Sequence, residues 1–219
     1  MKLCNYLTIL FFVLTFQVFA QTKEDQDAAY TKTITQRVDK IVAPLAIANS
    51  ATAVKVRDII VQQYRNLNDI YTERDNKLKA AKILKATNKV IAEEQIRNAE
   101  NEVSARLYNL HFDYISKLML YLTPDQLEQV KDAMTYNVFP ITYKAYQDEV
   151  LNLTDEQKLQ IKVWLIEARE HAIDAGSADE KHAWFGKYKG RINNYLSKEG
   201  YDMKKEGVEW QKRIKASSK

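Results

Sequence analysis

No glycine occurs in the first 175 residues of this chain; all five, at positions 176, 186, 190, 200 and 207, fall in the last 44. Sandwiches, barrels and phosphate-cradling loops all need glycine where the backbone turns tightly or takes positive φ. A chain that goes so far without one is expected to be helical. Only three prolines, at 44, 124 and 140, interrupt it, and apolar residues at 46% against charged residues at 28% describe a folded protein. The expected fold class is all-α. It should have about seven helices, with a long N-terminal hairpin packed on a compact, aromatic-rich C-terminal bundle.

Residues 1–20 read as a secretory signal. Lys2 supplies the positive start, Leu7 to Phe19 is almost wholly apolar, and Val18-Phe19-Ala20 suits cleavage before Gln21. The run is shorter than a membrane span requires. Cys4 precedes the apolar core instead of closing it, which argues against a lipid anchor. The chain is therefore expected in the periplasm or at the cell surface, as one domain over 21–219 with no membrane span after cleavage. Cleavage would remove the sole cysteine, and with it any disulfide, thiol nucleophile or thiolate metal site. The net charge is +4 with 33 Lys and Arg against 29 Asp and Glu; losing Lys2 leaves +3. Signs are mixed along the chain, which gives no support to nucleic-acid binding. The sequence does not speak to oligomeric state.

The periodicity is helical throughout. A charged helix over 23–43 ends near Pro44. The next is capped by Asn49-Ser50 and carries Val56, Ile60, Tyr64, Leu67, Tyr71 and Leu78 to about Lys85. A third, over 89–121, carries Ile96, Val103, Leu107, Leu110, Tyr114, Leu118 and Tyr121, and His111 in that stretch reads as structural. At 1.5 Å per residue it spans about 50 Å, so the second and third helices should form an antiparallel hairpin. Leu122-Thr-Pro-Asp-Gln126 and Leu153-Thr-Asp-Glu-Gln157 are capping boxes that start two more helices, and Ser177-Ala-Asp-Glu180 is a third. Between the first two, Pro140 breaks or restarts a helix, and Phe139, Tyr143 and Tyr146 share a face that suits an aromatic wedge between helices or the lining of a ligand site.

The helix from 154 to about 175 has two apolar stripes, Leu159, Val163, Ile166, Ile173 and Ile161, Leu165, Ala168, Ala172, which make it central. Lys158, Lys162 and Arg169 read as its solvent edge. A polar strip of Gln160, Trp164, Glu167, His171 and Asp174 stacks at three- and four-residue spacing. With His182, Trp184, Tyr188 and Arg191 on the helix that follows, it forms the candidate site. Trp and Tyr rings can stack on the apolar faces of sugars while carboxylates, imidazoles and guanidinium bond the hydroxyls. Three other readings stay open: a divalent metal held by Glu167, His171, Asp174 and His182 without any recognised metal motif; a carboxylate–histidine acid/base pair; and a buried network that only locks the helices. No cofactor motif is present. Gly186 and Gly190, four apart, suggest that a backbone or ligand comes close, and Lys187, Lys189, Arg191 and Lys198 surround Asn193 and Asn194 as a basic cluster.

The runs Glu167 to Asp174, Lys181 to Tyr195 and Gly200 to Asp202, with Tyr136 to Val138, Pro140 and Thr142 to Tyr146 upstream, resemble a secreted bacterial family, domain of unknown function 3826, of polysaccharide-degrading bacteria. The resemblance covers nearly the whole chain after residue 20. It implies a carbohydrate-associated, sugar-binding protein and assigns no role to any single residue. A weaker similarity, resting on the two LTxxQ boxes, is to small periplasmic chaperones; the aromatic, glycine-containing C-terminal third has no counterpart there. The lead expectation is a non-catalytic sugar-binding protein with a carbohydrate ligand. The alternatives are a helical chaperone and a glycan-processing enzyme using Glu167, His171 or Asp174.

Overall fold

The computed structural model describes residues 23–217. The expected signal segment and its cleavage site lie outside the described residues. Within them are eight α-helices, one more than expected: α1 Lys23–Val42, α2 Ser50–Leu84, α3 Lys89–Met119, α4 Pro124–Met134, α5 Val138–Glu149, α6 Asp155–Ile173, α7 Ala178–Lys198 and α8 Met203–Ser217. The chain around Pro44 forms a short 3-10 turn, Ala43–Leu45. The last helix, α8, runs to Ser217. Among the described residues, no helix is long and apolar enough to cross a membrane.

The helix starts follow their local chemistry. Asn49 and Asn88 cap α2 and α3 by accepting from Thr52 and Ile91 N–H. Thr123 and Thr154 form full capping boxes with Gln126 and Gln157. The third box is only half formed. Ser177 accepts from Glu180 N–H, but the Glu180 carboxylate turns to the Gly176 N–H at 2.9 Å. The break near Pro140 lies upstream of it. Tyr136 and Asn137 both adopt left-handed φ, 59° and 55°, and α5 restarts at Val138. Pro140 then sits in the first turn, where its missing N–H has no intrahelical partner to lose.

Two apolar cores result. In the first, Ile34, Val38, Val56, Ile60, Tyr114, Leu118 and Val130 join α1 to α4, with Ile173 entering from α6. In the second, Tyr146, Ile161, Leu165, Ala168, Ala172, Phe185, Ile192 and Leu196 join α5, α6 and α7. Helix α6 thus serves both, packing on α4, α5 and α7. Its Ile161–Ala172 stripe is buried as expected. Its other stripe is buried only at its C-terminal end, by Ile173, while Leu159 is 62% and Val163 49% exposed. Arg169, read as solvent-facing, is instead 1% exposed. It points between α4 and α6, where carboxylates of both helices receive it.

A second buried cation holds helix ends together. Lys181 Nζ donates to the carbonyls of Ile173 and Met134 at 3.1 and 3.3 Å, the last residues of α6 and α4. Those carbonyls have no intrahelical partner, and the negative ends of two helix dipoles favour an ammonium there. Burial still pushes the Lys181 ammonium down to about 8, against the opposing pull of Asp174. Between that value and the unfolded value of about 10.4, the unfolded chain holds a proton that the folded chain has released. Stability therefore rises with pH across this window. From about pH 7 to about pH 9 the protein is expected to gain roughly 1 kcal/mol relative to Lys181→Met in paired urea titrations. Tyr64 and Tyr71, raised to about 12 by burial, act in the opposite sense only above about pH 10. Equal pH slopes in both proteins would refute this role for Lys181.

Candidate functional site

Helices α2 and α3 pack along each other, and the C-terminal end of α6 docks against them. Tyr71 OH donates to the Asp174 carbonyl at 2.9 Å, and Gln63 Nε2 donates to the Asp174 carboxylate at 3.3 Å. His111 Nδ1 lies 2.7 Å from the other carboxylate oxygen of Asp174. This docking opens a groove of about 490 Å³. Tyr71 comes from α2, Ser104, Tyr108, His111 and Phe112 from α3, Glu170, His171 and Asp174 from the end of α6, and Trp184 from α7.

The floor is charged and the walls are aromatic. His111 sits between two carboxylates, with Nε2 3.6 Å from Glu170. The hydrogen bond to Asp174 raises its pKa against the opposing effect of burial. Glu170 also meets Lys131 at 3.1 Å and Arg169 at 3.3 Å. On the α3 wall, Phe112 touches Tyr108 edge-on at 4.9 Å and His111 at 5.4 Å. On the α7 wall, the His171 ring stacks on Trp184 at 4.3 Å.

Most of the polar strip of α6 is open to solvent, but Asp174, its side chain 13% exposed, acts as a lock between helices through Gln63 and His111. His171, Asp174 and Trp184 line the groove. Trp164, Glu167 and Arg191 form a neighbouring surface instead, whereas Tyr188, expected to stack on a ligand, is 4% exposed and packs in the second core behind them. Arg191 pairs with Glu167 at 3.4 Å and lies over the rings of Trp164 and Tyr188, while Trp164 meets Tyr195 edge-on at 5.3 Å. His171, 6.3 Å from Tyr188, links this surface to the groove. Burial and the Glu167 carboxylate raise the Tyr188 hydroxyl to about 12. His182 is separate from both, stacked on Tyr136 at 5.4 Å. Among the described residues, no group of three His, Cys, Asp or Glu could hold a metal ion.

His111, read as structural, bonds α3 to the end of α6 through Asp174 and also lines the groove. A further expectation needs correction. Gly186 and Gly190 admit no close neighbour, since a Cβ on either would meet nothing within 4 Å. The α5 aromatics do form the expected wedge: Tyr146 is buried in the second core, with its hydroxyl bound to Asn193 at 2.7 Å, and Phe139 and Tyr143 pack against that core, Phe139 also lying against the Arg169 guanidinium. The residues that sequence reasoning missed are Tyr71, Tyr108, His111, Phe112 and Glu170. A signal for three of them was present, because Tyr108, His111 and Phe112 are spaced by three and four on one face of α3.

The chain belongs to the family described as Protein of unknown function (DUF3826), whose model matches residues 31–216, from within α1 almost to the end of α8. No curated protein matches it.

Proposed function

We propose that this protein is an exported carbohydrate-binding protein and that its ligand lies in the groove between α3 and the α6–α7 edge. The observation that carries this reading is the exposure of two aromatic rings at the mouth of the groove, Tyr108 at 66% and Phe112 at 55%. Water-facing rings above a polar floor suit a pyranose, which has apolar C–H faces and a rim of hydroxyls. Glu170, Asp174, His111 and Ser104 supply the hydroxyl partners. Trp184 already has one ring neighbour in His171, so Tyr108 and Phe112 carry the stacking. Trp164, Glu167 and Arg191 form a rim that longer chains would reach. The aromatic residues of α5 to α8 make the C-terminal half an aromatic-rich bundle in this reading. Export rests on Lys2 and the apolar run up to Ala20.

Residues 21–219 are to be titrated with neutral and acidic glycans while tryptophan fluorescence is followed. Trp184 stands in the groove as reporter. A saturable change with one glycan class is expected, and Tyr108→Ala with Phe112→Ala should weaken it about tenfold or more, from roughly 1 kcal/mol per lost stacking contact. A doubly substituted protein that keeps its helical circular dichroism and binds like the parent would sink the assignment.

A catalytic reading has one specific observation in its favour, the 2.7 Å His111–Asp174 contact with Glu170 beside it, a proton-carrying pair in a ligand groove. Chromatography of the same mixtures separates the two. New oligosaccharides that disappear with His111→Gln would make the groove an active site.

A further inference from the structure

Beyond the groove, the α2–α3 hairpin runs on alone. The last described contact from α2 to the rest of the molecule is the ion pair of Arg74 with Glu180 at 3.3 Å. The helix continues ten residues further, to Leu84, about 15 Å at 1.5 Å per residue. The ion pairs described in this arm stay within it: Lys77 and Arg106 with Glu73 and Glu102, Lys85 and Lys89 with Glu93.

The composition of the arm changes towards its tip. From Asn76 to Ala92 there are five lysines, at 77, 79, 82, 85 and 89, and no aspartate or glutamate. Lys79 and Lys82 are exposed and make no ion pair among the described residues. Lys85 and Lys89 share the single Glu93 carboxylate, at 3.6 and 3.9 Å. Three branched apolar side chains stand among these cations, Ile83 at 73%, Val90 at 74% and Ile91 at 45% exposed. The hairpin core beside them is closed by small residues, Ala81, Ala92 and Ala99, so the larger side chains are left to solvent.

We propose that the tip of the α2–α3 hairpin docks on an anionic lipid surface. The turn over residues 85–88 would lead, with Ile83, Val90 and Ile91 entering the boundary between headgroups and acyl chains. The lysines would reach lipid phosphates from the flanks, their stems lying along the apolar side chains. A soluble polyanion such as a nucleic acid or an acidic polysaccharide would use the lysines alone. The apolar residues at the extremity match the boundary between headgroups and acyl chains, which a soluble polyanion does not offer.

The test is sedimentation of residues 21–219, which contain the whole described structure, with vesicles. One set is phosphatidylcholine containing about a third phosphatidylglycerol; the other is phosphatidylcholine alone. Binding is expected to the anionic vesicles only and to fall as salt is raised. Each lysine near such a surface is worth about fivefold in partitioning, so Lys79→Gln/Lys82→Gln/Lys85→Gln should lose about a hundredfold. Ile83→Ser/Val90→Ser should weaken binding at unchanged charge, with helical circular dichroism intact. The proposal falls if the anionic vesicles do not bind, if either variant sediments like the parent, or if phosphatidylcholine alone binds equally. It falls too if the tip binds polygalacturonate or duplex DNA but not vesicles.

Discussion

Replacing Arg169 by methionine is expected to lower stability by about 3 kcal/mol, a drop of about 10 °C in Tm for a chain of this size. The side chain is 1% exposed. Nη1 donates to Asp132 at 2.6 Å, Nη2 donates to Glu128 and to Glu170 at 3.3 Å, and the guanidinium lies 5.1 Å from the centre of the Phe139 ring. One cation therefore clamps α4 to α6. Burial holds the Asp132 carboxyl above its usual value despite this partner. For Glu128, burial pushes up, but the bonds and charges of Arg169 and Lys131 outweigh it and hold the carboxyl low. Methionine fills much of the volume but leaves three carboxylates facing one another with Lys131 as their remaining cation. The loss belongs at the lower end of the range for broken buried pairs because Glu128 is half exposed and water screens it. Acid should relieve the variant, since protonated carboxyls no longer repel. Urea titrations at about pH 7 and about pH 4 should show the gap between parent and variant narrowing. A variant within about 0.5 kcal/mol of the parent at neutral pH would show that the clamp carries no net stability.

Gly176→Ala is expected to cost about 3 kcal/mol, the upper end for overpacking. A Cβ at this position would stand 2.7 Å from two carbons of the Tyr71 ring. The ring has little freedom to yield. Its hydroxyl is bound to the Asp174 carbonyl, and the Arg74 guanidinium lies 4.5 Å from its centre. Relief requires the α6–α7 turn to lift from α2, which would also disturb the groove that Tyr71 lines. Gly186→Ala and Gly190→Ala provide the contrast. Both positions are helical with open space above them, so alanine should raise stability by just under 1 kcal/mol each through helix propensity. Thermal melts of the three single variants test the pattern. Similar Tm values for Gly176→Ala and the parent would mean that the Tyr71 ring is not a fixed wall.

Much of this was legible along the chain because it depends on neighbours in sequence. The scarcity of glycine, the Asn49, Thr123 and Thr154 caps and the stripe of Val56, Ile60 and Leu67 specify helices, their starts and one buried face, since caps and helical faces are contacts over three or four residues. The strip of Trp164, Glu167, His171 and Asp174 was legible as a polar face for the same reason.

What lies opposite a face depends on residues far away in sequence, and there the tertiary structure decided. Arg169 and Lys162 carry the same kind of charge about two turns apart on α6, but only Arg169 meets Glu128 and Asp132, about forty residues upstream, and is buried. Asp174 gained its role from His111, Gln63 and Tyr71, which reach it across more than sixty residues. The aromatic trio on α3 became the wall of a groove only when the end of α6 docked beside it. Local hydrogen bonding and periodicity determine helices and their apolar sides within a turn or two. A groove, a buried cation or an exposed ring is a property of two surfaces, and the second surface is supplied by the fold.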